Sequence, residues 1–184
     1  MDIDNYKNEL EILNDMQQSY NLLFIALNKI QAEADSRLED LTLRQLMLLI
    51  AIVHLDPQEA TIVNIASALG TSKQNVNRLV NHMIKAGHLS SKPGQTDKRN
   101  VNISITDKGL SVMQKNTINS NKYFLDLFKN FTRTEIKAFR KTLEKLSDYD
   151  HTNQKYFQKQ VKIDIGKESN DMEKFLEQIR KLFF

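Results

Sequence analysis

Apolar residues recur along this chain with a helical period in most places and with a period of two in one place. From residue 1 to about 38, Tyr6, Leu10, Leu13, Tyr20, Leu23, Phe24, Leu27 and Ile30 keep helical spacing with no glycine or proline between them. A long first helix is predicted there. Leu46 to Val53 is apolar on nearly every side, so a second helix belongs at the centre of the core. Thr42 caps it, and Asp56-Pro57 stops it after Val53 or Leu55. Thr61 caps a third helix that turns Ile62, Ile65, Ala66 and Leu69 inward, and Gly70 supplies the left-handed backbone that ends it. Ser72 or Thr71 caps a fourth, which ends at Gly87.

After Gly87 the period changes. His88 to Lys92 and Val101 to Ile105 read as two strands joined by a Pro-Gly turn. Val101, Ile103 and Ile105 face one way, and Asn102 and Ser104 the other. Thr106-Asp107 caps a fifth helix running through Met113, Phe124, Leu127 and Phe128. Thr132 or Thr134 opens a sixth with Ile136, Phe139, Leu143 and Leu146 inward. Beyond Tyr149, Lys162 to Gly166 is a short strand or a linker. Met172, Phe175, Leu176, Ile179, Leu182 and Phe183 then form one apolar stripe on a last helix, which needs a partner surface. The expected fold is mostly α with a small β-hairpin wing, in a single domain over residues 1–184. Helix, tight turn, helix and basic hairpin in that order define a winged helix-turn-helix over residues 42–106, a module that places one helix in the DNA major groove. Residues 1–38 and 107–184 flank it as helical regions.

The fourth helix has two faces. Val76, Leu79, Val80, Met83 and Ile84 share the inward one. Gln74, Arg78, Asn81 and Lys85 lie opposite, with Asn75 and Asn77 on the two flanks. An amide pairs bidentately with adenine and an arginine with guanine, whereas the same residues on an ordinary helix are simply solvated. The candidate DNA-binding residues of this helix are Thr71, Ser72, Lys73, Gln74, Asn75, Asn77, Arg78, Asn81 and His82. Those of the wing are Lys92, Gln95, Thr96, Asp97, Lys98 and Arg99. A basic hairpin suits a narrow minor groove, where negative potential is focused.

Charge sharpens this picture. The net charge is only +3, but it is not evenly spread. Between Thr71 and Arg99 lie Lys73, Arg78, Lys85, Lys92, Lys98 and Arg99, opposed by Asp97 alone. The remainder of the chain is slightly acidic, so the positive charge gathers where a phosphate-binding surface needs it. The absence of cysteine excludes disulfides, thiol sensing and cysteine-ligated zinc. His54, His82, His88 and His151 lack paired ligand spacing and read as surface or capping histidines, so neither metal nor cofactor is expected. No histidine–carboxylate cluster and no glycine-rich phosphate loop supports an enzyme. Asp2 and Asp4 do not begin a secretory signal, and the longest apolar run is too short to cross a bilayer. A cytoplasmic protein with no membrane partner is expected. The competing reading is a winged-helix protein-interaction module that docks partners through its C-terminal amphipathic helix.

The segment LGTSKQNVNRLVNHMIKAGHLSSKPGQTDKRNVNISITDKG resembles the MarR family of bacterial transcription regulators. Its wing signature is Asp97-Lys98-Arg99, followed by a strand and then by Ile105-Thr106 and Gly109 opening the next helix. The resemblance covers residues 38 to 146 and, loosely, the first helix. It implies a homodimeric, sequence-specific DNA-binding transcription regulator, read here as a repressor, on a pseudo-palindromic double-stranded operator. Residues 1–38 and 107–184 then become the dimerisation region, Asp97 and Arg99 the wing pair, and Ser72 to Arg78 the opening of the recognition helix. Lys98 stands where arginine is usual, and residues 150–184 exceed the common family length. The resemblance also implies a small-molecule effector of unknown identity. Tyr20, Phe24, Tyr123 and Phe124 lie near the region where such a ligand binds, but they read as dimer core and no effector site is assigned.

Overall fold

The computed structural model describes residues 3–93, 101–150 and 170–184. It divides into two compact units, Met1–Arg37 and Leu38–Phe184. The first is one helix, α1 (Ile3–Arg37). Along it Tyr6, Leu13, Tyr20 and Leu27 recur every seven residues, with Leu10 and Phe24 on the adjoining row, and all six are exposed. A stripe with that repeat is the pattern of a helix that lies along another helix.

The second unit contains α2 (Leu43–His54), α3 (Ile62–Ala68), α4 (Lys73–Lys85), β1 (Leu89–Pro93), β2 (Val101–Ile105), α5 (Asp107–Phe128), α6 (Arg133–Ser147) and α7 (Asn170–Phe183). Hydroxyl caps open five of its helices, at Thr42, Thr61, Ser72, Thr106 and Thr132. At Thr42 and Thr132 the cap is reciprocal, because the side chains of Gln45 and Glu135 accept a hydrogen bond from the cap residue's backbone N–H. Those hydrogen bonds from Thr132 to its carboxylate hold Glu135 below the usual carboxylate range.

As expected from its composition, α2 is central. Leu48, Leu49 and Ala51 are fully buried, and the core around them takes in Ile65, Val76, Val80, Met83, Leu89, Ile103 and Met113. Burying each large side chain of this kind contributes about 1.5–3 kcal/mol. β1 and β2 pair antiparallel with Leu89 opposite Ile105 and Ser91 opposite Ile103. Ile103 is buried and Ile105 half-buried, but Val101 at the outer end is 44% exposed. The expected apolar face therefore stops before the hairpin's tip. An unanticipated pairing extends the sheet inward: Ile103 donates its N–H to Ala60 O at 2.8 Å, and Thr61 bridges Asn102.

Two further expectations need correcting. Ile136, Phe139, Leu143 and Leu146 share a face of α6, yet no residue of that helix is buried, and Phe139 is 44% exposed. The sequence periodicity marks a face that must be covered, and this face has no cover within the described residues. His88 is not a surface histidine. It is only 8% exposed, because it lies at the corner where α4 turns into β1.

That corner is tightly built. Gly87 takes a φ of 78°, and His88 N–H and Gly87 N–H close back on Met83 O and Ile84 O, each at 2.9 Å. This is the paired closure that ends a helix when its residue after the cap is left-handed. Thr106 Oγ1 then donates to Gly87 O at 2.7 Å, and Lys108 Nζ to Ala86 O at 2.7 Å. The C-terminus of α4 is thereby pinned to the first turn of α5.

Burial, foremost, and the nearby Lys108 ammonium hold His88 below its ordinary pKa, with Asp40 opposing and His82 adding to the shift. The folded ring therefore resists a proton that the unfolded chain accepts. Its contribution to stability is complete above pH 6.5 and falls as the pH drops below that ordinary value. His88→Gln is expected to flatten this part of a plot of urea midpoint against pH. An unchanged slope between about pH 6.5 and 5 would rule out this role.

The last helix has found a partner surface in its own chain. α7 packs on α5, with Phe175, Ile179 and Phe183 half-buried. At its end the Arg133 guanidinium stacks over the Phe184 ring, 4.7 Å from the centroid. Lys162 to Gly166 and His151 lie outside the described residues.

Candidate nucleic-acid interface

The connection between α3 and α4 sets the geometry of the exposed face. Gly70 takes a φ of 60°, Thr71 N–H closes on Ala66 O at 3.0 Å and Gly70 N–H on Ser67 O at 3.2 Å. Ser72 then caps α4, accepting the Asn75 N–H at 3.2 Å. Four residues thus end one helix and start the next with every step hydrogen-bonded. Val76, Val80 and Met83 anchor α4 in the core, with Leu79 and Ile84 packed partly against it. Because those five share one side, the polar side faces solvent.

All nine candidate residues from Thr71 to His82 are exposed. Gln74, Asn77, Arg78, Asn81, His82 and Lys85 line an open groove of about 510 Å³. Three amides, one imidazole and two cations face this space, and no carboxylate does. The first turn of α4 contains no acidic residue either, so its free N–H groups and positive dipole end stand uncompensated. Lys85 is the residue that the candidate set omits. It lies two turns beyond Arg78 on the same face, a signal present in the helical spacing. Thr71, Ser72, Lys73 and Asn75 do not line the groove. Thr71 to Lys73 sit at the helix start, and Asn75 stands on the flank away from Asn77.

The hairpin is only partly described. Lys92 is exposed on β1, and Ser90 and Ser104 share a hydrogen bond of 2.9 Å across the ladder. Gln95, Thr96, Asp97, Lys98 and Arg99 lie outside the described residues. Among the described residues no group of three or more histidine, aspartate or glutamate side chains converges as a metal site, and no helix is long and apolar enough to cross a membrane.

Fold and face define a winged helix-turn-helix protein. Residues 39–100, about a third of the chain, match the family model of the MarR family. It is 27% identical over 100 residues to the HTH-type transcriptional regulator PapX of Escherichia coli, an alignment that covers 54% of this chain and 61% of PapX. The chain thus spans less than two thirds of the length of the curated relatives it matches. A mutant MarR from E. coli, solved with operator DNA, superposes with a TM-score of 0.64 at 21% identity, covering 72% of this chain and 96% of that one. MepR of S. aureus, solved as a DNA complex, gives 0.63 at 22% identity and covers 71% and 96% of the two chains. These two share the fold.

Proposed function

We propose that this chain is a cytoplasmic, homodimeric, sequence-specific DNA-binding transcription regulator that represses by occupying its operator. The observation that carries the reading is the carboxylate-free groove on the solvent face of α4, lined by Gln74, Asn77, Arg78, Asn81, His82 and Lys85. A helix presenting amides and cations from a rigidly closed turn is what base edges in a major groove require. The basic wing residues read from the sequence, Lys92, Lys98 and Arg99, supply a second contact in the adjoining minor groove. The DNA complexes of MarR and MepR support the same reading. The exposed stripe of α1, with its seven-residue repeat, and the exposed apolar face of α6 support a homodimer, since each is the kind of surface that a second helix covers. The seating of α7 on α5 counts against the protein-docking alternative, whose docking element is then engaged within the chain.

Selection of bound duplexes from a random pool tests this reading. Enriched sites are expected to be two-fold symmetric, with half-sites one helical turn apart, about 10 base pairs. Asn77→Ala is expected to relax one position by about 1–3 kcal/mol. Arg99→Ala should weaken all sequences alike and lower the salt slope by about one. A pool without enrichment would overturn the function, and asymmetric single half-sites would overturn the homodimer.

A further inference from the structure

We infer that Asn75 is a positioning residue which acts on DNA through Arg78 rather than by meeting a base itself; this rests on the DNA-binding reading above. Arg78 lines the groove and Asn75 does not. Both ends of the Asn75 carboxamide are committed within the protein. Its Nδ2 donates to Thr71 Oγ1 at 3.4 Å, and its Oδ1 accepts from Arg78 Nη2 at 3.5 Å. The two contacts agree on one amide orientation, because only the oxygen faces a cation. Its backbone N–H is taken by the Ser72 cap at 3.2 Å, so the residue is held at backbone and side chain together.

The chain of contacts begins at a rigid point. Thr71 N–H closes the preceding helix on Ala66 O at 3.0 Å. From there the path runs through the Thr71 hydroxyl and the Asn75 amide to the guanidinium. An arginine free to rotate loses much of its rotamer freedom when it binds. A guanidinium already restrained by one donor keeps its other donors for guanine or phosphate and loses less. Asn75 therefore aims Arg78 into the groove from outside it.

The test is a double-mutant cycle in the full chain on the selected duplex, with affinity read by fluorescence anisotropy and folding by thermal melting. Asn75→Ala is expected to bind about three- to ten-fold more weakly when Arg78 is present. With Arg78→Ala already in place it should add less than about two-fold. Any base pair at which Asn75→Ala relaxes the preference is one that Arg78→Ala also relaxes. Thr71→Val, which removes the partner of the amide nitrogen, shifts affinity in the same direction by less. Melting midpoints stay unchanged, because all three side chains are exposed.

An equal loss in both backgrounds, a relaxed preference at a base pair Arg78 does not govern, or full affinity for Asn75→Ala would each overturn the inference. Failure of the unsubstituted chain to enrich any duplex is a separate result. It removes the DNA-binding reading and this inference with it.

Discussion

Gly109→Ala is expected to destabilise the winged lobe by about 3 kcal/mol, although glycine to alanine inside a helix ordinarily stabilises by about 1 kcal/mol. The sign reverses because the first turn of α5 lies flush on the start of β1. A Cβ built on Gly109 falls 2.2 Å from the His88 carbonyl oxygen, 3.1 Å from its carbon and 2.8 Å from Ile105 Cγ2. Two of those atoms are backbone, so no side-chain rotation relieves the clash. The same carbonyl oxygen accepts the Thr106 N–H at 3.1 Å, and Thr106 Oγ1 caps the helix by accepting the Gly109 N–H at 3.1 Å. Opening the contact enough for a methyl group therefore strains the cap and the corner that holds α4. A fall in melting temperature of roughly 6–12 °C corresponds to this loss in a chain of this size. Melting at or above the unsubstituted value would show that the corner yields without cost.

The second large effect is expected at Asn116, the only fully buried polar side chain among the described residues. Its carboxamide acts as a surrogate peptide group. Oδ1 accepts the Glu39 N–H at 2.8 Å, while Nδ2 donates to Glu39 O and Val112 O, each at 2.9 Å. The segment leading into α2 is thus clamped on α5. Beside it, the Lys115 ammonium pairs with Glu39 at 2.8 Å and Asp40 at 3.3 Å, and the hydrogen bonds it donates to those carboxylates hold its pKa above the usual lysine range. Those pairs are exposed and contribute little; the buried amide carries the joint.

Asn116→Ala leaves two backbone groups of Glu39 without their partner and opens a small void, for an expected loss of about 2–3 kcal/mol. Asn116→Leu restores volume but not the hydrogen bonds, and is expected to be no more stable than the alanine variant. Full recovery by leucine in a urea titration would show that packing, not the amide, holds the segment.

Some of this architecture was plain in the residue pattern. Thr42, Thr61, Ser72, Thr106 and Thr132 announce helix starts because a cap is a contact within one turn of chain. Gly70 and Gly87 mark helix ends for the same local reason. The inward and outward faces of α4 follow from its 100° rotation per residue, and so did most of the groove, Lys85 being the omission from the candidate set. The inward face of β2 likewise followed from alternation, apart from its outer end, where Val101 is exposed.

Other features were not legible because their partners are remote. The Asn116 clamp joins residues 77 positions apart, and an asparagine in a long helix carries no mark of such a partner. The burial of His88, the strand pairing at Ala60 and Thr61, and the flush contact at Gly109 all depend on which segments meet at one corner. Periodicity identified the apolar faces of α6 and α7 alike. It did not tell that α7 lies on α5 while the α6 face stays open within the described residues.

By itself, then, the order of residues determined the helices, their caps, the two-helix turn and the chemistry of the outward face. All of these are set by steric and hydrogen-bonding preferences acting over a few residues. Only the tertiary structure decided which polar groups are buried, where a glycine must stay a glycine, and which flank of α4 opens into the groove. Those properties belong to surfaces brought together from distant parts of the chain, and local preference does not reach that far.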